Sequence, residues 1–228
     1  IRSVEHRRRT IPNLLFGLSP EVKKRYRTFH RNLFAYIEEQ SGASIIVDSS
    51  KSARDAALRF YALSEIAELN VHVVHLVREG QATINSYVQK GSNWALEGYQ
   101  RPPRLPGFRA AVGWTLSNIW ALGLSNQYLP NERYLRVHFE DLVSQPVEVL
   151  ERIGRFVDVD LSVLTKQVRN HELFEVGHNV GGNRLRKKNG IRLRIQNNMN
   201  EQYELGWHHR LFFTSFGGWL QRSMKDSN

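Results

Sequence analysis

Val71–Ser86, VHVVHLVREGQATINS, decides the fold. It reads as a short buried strand over 71–77, a tight turn at Glu79-Gly80 and then a helix. Arg78 stands at the strand's exit and Ser86 in the helix beyond it, a pairing able to hold one phosphate. Just upstream, SIIVDSSKSARDAAL repeats the form, with a β-branched strand over Ser44–Asp48 and Lys51 at its exit. Two such exits side by side predict a site for a highly phosphorylated ligand.

Further elements fall around this centre. Ser19-Pro20-Glu21 is a helix start, with a capping side chain, proline at the first helical position and an early acid. Val22, Tyr26, Phe29, Leu33 and Ile37 then recur at helical spacing until Ser41-Gly42 stops the helix. Alanine and leucine over 53–68 predict a helix returning to the strand at 71–77. Residues 98–107 form a proline- and glycine-rich loop, readable as an active-site flap or a plain surface loop. A long helix is expected over 108–129, a third strand over 134–137 and another helix over 146–157. Beyond about 175 no period persists. Strand, helix, strand, helix in this order imply a parallel sheet with right-handed crossovers in one domain spanning 1–228.

Composition narrows the function. The chain has 228 residues, a net charge of +10 and no cysteine. Disulfides, thiolate catalysis and cysteine metal sites are thereby excluded. The charge calls for an anionic partner. No apolar run approaches the roughly 20 residues of a membrane span, and no apolar stretch follows the N-terminal arginines as a secretory signal would require. A cytoplasmic chain is the expectation. The histidines lack metal-ligand spacing, so no metal is expected, and Trp114, Trp120 and Tyr128 read as core.

In open α/β sheets, ligands bind outside the carboxyl ends of strands, where helix N-termini offer N–H groups to anions. Arg78 and Lys51 fall there, and arginine's planar fork suits phosphate. The plain alternative pairs Arg78 with Glu79 and leaves Ser86 on the surface. Asp48-Ser49-Ser50-Lys51 likewise reads either as a helix cap with an exposed lysine or as a reactive lysine beside a polar organiser or base. His178–Asn183, followed by Arg184 and Arg186, is a glycine loop opening a basic run.

Taken in order, Asp48–Lys51, His75–Ser86, Phe139–Leu150 and His178–Arg186 resemble the PAPS-dependent sulfotransferases, in particular the bacterial and carbohydrate-type branch. The resemblance covers about three quarters of the chain. It implies a P-loop NTPase-like three-layer α/β sandwich with a central parallel sheet. It also implies transfer of a sulfuryl group from PAPS to an acceptor hydroxyl or amine, with release of PAP. Lys51 would approach the bridging oxygen, Arg78 and Ser86 would hold the 3′-phosphate, and Asn183 and Arg186 would close the site. Asp48 is a candidate base.

Two departures stand out. Glu79-Gly80-Gln81 replaces the family's Asp-Pro-Arg. The first βα unit, with its 5′-phosphosulfate loop, has no counterpart before Ser44, and since Ile1 is not a start residue the expectation is that it lies upstream. The partners expected are PAPS or PAP and a small-molecule or glycan acceptor, with no nucleic acid. The rival readings are a non-catalytic basic module for nucleic acid or anionic glycan, and a P-loop kinase-like enzyme, for which no Walker A sequence is present.

Overall fold

The computed structural model describes residues 2–5, 13, 16–49, 59–90, 105–174, 190–192 and 205–226. The chain forms two compact units, one from 1–73 with 116–134 and the other from 74–115 with 135–228.

In the first unit, α1 (Arg2–Glu5) is followed by the long α2 (Pro20–Ser41), whose ends follow the sequence signals. Ser19 Oγ accepts from Val22 N–H at 3.4 Å, and Gly42 closes the helix at φ 64°. That left-handed φ suits glycine, which lacks the Cβ that would clash there. The inward face of α2 differs from the expected stripe. Tyr26 and His30 are buried, with Val22 and Phe34 packed beside them, while Phe29 and Leu33 are exposed. Spacing by fours from Val22 sets this face, and a histidine stands in it. A short α3 (Arg59–Tyr61) runs into a π-helical turn (Ala62–Ile66). Ala62, Leu63, Ile66 and Ala67 form the core with Val4 and Tyr26. The expected strand over 44–48 is not one: Val47 is 85 % exposed, and no described strand pairs with the segment. A β-branched run becomes a strand only where a neighbour takes up its backbone groups.

The second unit holds most of the small parallel sheet, β1 (Val73–Val77) beside β2 (Tyr134–His138). Helices α4 (Gly80–Lys90) and α5 (Pro106–Tyr128) supply the crossover. β1 is less buried than its composition predicts: Val77 lies in the core, yet Val74 and Leu76 remain exposed on the opposite face. After β2 come α6 (Phe139–Ser144), α7 (Pro146–Val157) and α8 (Ser162–Arg169). Two helices absent from the sequence reading close the chain, α9 (Trp207–Phe216) and α10 (Gly218–Asp226). The Gly217-Gly218 pair between them and the aromatics around α9 had hidden any clean period. Trp114 is buried, and Trp120 and Tyr128 pack on Leu124, so this aromatic series is core as expected.

Candidate functional site at the exit of the first strand

β1 delivers Arg78 to the surface, and the next backbone groups are all spoken for. The Arg78 carbonyl accepts from Trp114 Nε1 at 2.8 Å. Glu79 N–H donates to Glu140 Oε1 at 2.8 Å, and Gly80 N–H donates to Gln221 Oε1 at 2.8 Å. Three side chains, from α5, α6 and α10, thus hold three successive residues of the turn. Each such bond contributes about 1 kcal/mol, and the carboxylate somewhat more.

This hold changes the chemistry expected of the site. Glu140 places a negative charge at the N-terminus of α4, where the helix dipole favours one. The Glu79 N–H and the first N–H of α4, that of Gly80, are therefore engaged within the protein, contrary to the expectation that they would meet a ligand. What Arg78 offers an anion is its side chain. Its guanidinium carbon lies 5.1 Å from the centroid of the Phe139 ring, an arrangement that favours a cation. Among the described residues no carboxylate pairs with it, Glu79 included.

Gly80 is required sterically. A Cβ there would stand 2.0 Å from Phe213 Cζ. Phe213 is itself 2 % exposed and meets Trp114 edge-on at 5.2 Å, so the ring cannot yield. Ser86 sits partly buried on α4, six residues beyond Gly80, or ~9 Å along the helix axis. Arg78 and Ser86 thus share one strand–turn–helix unit.

Asp48 belongs to the first unit and is engaged there. Its Oδ2 accepts from Arg59 Nε at 2.7 Å and from Arg59 Nη2 at 2.5 Å. Arg59 Nη1 donates to Glu5 Oε1 at 2.6 Å, and the Tyr26 hydroxyl donates to the same oxygen at 2.7 Å. Burial, reinforced by the Glu5 hydrogen bond, pushes the Tyr26 phenol far above its ordinary range. Burial acts against the charge on Arg59, but Asp48 and Glu5 outweigh it and the guanidinium is raised. This network escaped the sequence reading because its members lie up to 54 residues apart and share no motif.

His30 completes the cluster, with Nδ1 donating to the Tyr26 carbonyl at 3.1 Å and Nε2 3.7 Å from Glu5. Burial lowers its pKa, since an imidazolium is poorly accommodated away from water. The unfolded chain takes up that proton near pH 6.5. The stability of the folded state is then complete above this pH and declines as the pH falls below it. Thermal midpoints should drop between pH 7 and pH 5, and His30→Gln should flatten that slope. Parallel curves for the two proteins would assign the acid loss to other groups.

Lys51, Asn183 and Arg186 lie outside the described residues, as do positions 98–104 of the proline-rich loop. A surface cavity of about 710 Å³ between α7 and α8 is lined by Arg155, Lys166 and Arg169 together with Glu151 and Asp160; no predicted site residue lines it. Among the described residues, no group of three histidine or acidic side chains is placed to hold a metal ion, and no helix is long and apolar enough to cross a membrane.

No curated protein matches the chain. In fold it is similar to the solved sulfotransferase domain from the curacin biosynthetic pathway, at a TM-score of 0.56 and 20 % identity over 83 % of this chain and 67 % of that one. This likeness bears out the P-loop-like α/β sandwich. The sequence pattern of the sulfotransferase family matches residues 19–162. That span runs from the cap of α2 through the Arg78 turn to the start of α8 and takes in more than half of the 228 residues. The turn, the strands and the helices between them are therefore those of a chain that belongs to the sulfotransferase family.

Proposed function

We propose that this sulfotransferase takes its sulfuryl group from PAPS and passes it to a hydroxyl or amine of a small-molecule or glycan acceptor, releasing PAP. The observation that carries the reading is Arg78, a cation presented at a strand exit by a turn whose own polar groups are already engaged. A guanidinium in that state can give its parallel N–H groups to the 3′-phosphate, with the Ser86 hydroxyl as a second donor.

In the transfer, the acceptor heteroatom forms a bond to sulfur as the bond from sulfur to the bridging oxygen breaks. The electron pair stays on PAP, and the acceptor's proton passes to a base. Positioning and charge stabilisation lower such a barrier, as in phosphoryl transfer. By resemblance, Lys51 stabilises the bridging oxygen as it leaves, and Asn183 and Arg186 close over the donor. For Asp48, the ion pair with Arg59 supports the organiser role over that of a base, because a carboxylate held by a guanidinium is a weak proton acceptor.

Calorimetry with PAP, with ATP and magnesium, and with an oligonucleotide tests the reading. PAP should bind most tightly of the three. Preference for ATP with magnesium would favour a kinase-like enzyme. Polymer binding that collapses steeply with salt, without PAP preference, would favour a basic module.

A further inference from the structure

An arginine recognises phosphate only as well as its backbone is aimed, because a displacement of about 1 Å spoils a bidentate contact. The turn carrying Arg78 contains glycine, the residue with the greatest backbone freedom. Its backbone also carries an N–H that must find a partner once the turn is buried. The last two helices, α9 and α10, answer both needs. Gln221 of α10 accepts from the Gly80 N–H at 2.8 Å, and Phe213 of α9 closes against the Gly80 Cα. α10 is itself tied to the sheet, since Arg136 of β2 donates to the Met224 carbonyl at 2.7 Å.

We infer that Gln221 is a positioning residue for the donor site: by holding Gly80 it fixes the aim of Arg78, so that the C-terminal helix sets affinity for the 3′-phosphate. The inference rests on Arg78 reading that phosphate. Gln221 acts through the turn and touches no ligand itself.

The test uses Gln221→Met in the full chain, which keeps the length of the side chain and removes its acceptor. Binding of PAP and of AMP, which lacks the 3′-phosphate, is measured by calorimetry, and exchange of the Gly80 amide by NMR. Gly80 should exchange faster in the variant. PAP affinity should fall roughly fivefold to tenfold, as expected for one lost hydrogen bond, with AMP affinity unchanged. Faster Gly80 exchange with unchanged PAP affinity would overturn the inference, since the contact would then be structural only. Equal losses for PAP and AMP would overturn it too, as a general loosening of the fold. Arg78→Ala serves as the reference. If that variant binds PAP like the wild type, the donor-site reading fails first and takes this inference with it.

Discussion

Arg78→Ala should weaken PAP binding about thirtyfold to a hundredfold while leaving the thermal midpoint almost unchanged. A charge-assisted bidentate contact contributes about 2–3 kcal/mol, and each 1.4 kcal/mol is tenfold in affinity. Stability should hardly move, because the turn is anchored through its backbone: the partners are Trp114, Glu140 and Gln221, and none of them touches the guanidinium in these bonds. The side chain's contact with the Phe139 ring is exposed and worth about 0.5–1 kcal/mol at most. Arg78→Lys should fall between the two, keeping the charge and losing the fork. Calorimetric titration with PAP measures all three proteins. Wild-type affinity in Arg78→Ala would remove the residue from the donor site.

Glu5→Ala should lower the unfolding free energy by about 3 kcal/mol, the loss expected when one member of a buried ion pair is removed. Glu5 is 3 % exposed, and one oxygen receives both Arg59 Nη1 and the Tyr26 hydroxyl. The truncation leaves a buried phenol without its acceptor and Arg59 without its inner partner. Glu5→Gln should cost less, because an amide oxygen can still accept from Tyr26. Urea unfolding of the three proteins gives the ordering. An unchanged midpoint in Glu5→Ala would mean that the network adds nothing to stability.

Where a signal was local, the sequence announced the structure. The Ser19 cap, the Pro20 start and the Gly42 stop bound α2, and Pro146 opens α7 as expected. The strand exit at Arg78 was equally legible, since a run of valines followed by Glu-Gly marks a strand and its turn. What failed depends on distant partners. Which face of α2 is buried was decided by Glu5 and the 62–67 turn, neither of which the periodicity of α2 contains. Asp48 was visible as a polar residue after a β-branched run, but its engagement by Arg59 was not. The donors of the Arg78 turn were read as open to a ligand because Glu140 and Gln221 approach from 61 and 141 residues away. Gly80 looked like a mere departure from a motif until Phe213 supplied its reason.

The three-point hold on the Arg78 turn separates scaffold from recognition. Every tether acts on the main chain, so the side chain at position 78 has little part in keeping the protein folded. Such a position is free to drift. A lineage or a designer could exchange that one side chain, and with it the anion preferred, without first finding compensating changes in the core. The binding preference of this strand exit is in that sense modular, an interchangeable tip on a fixed mount.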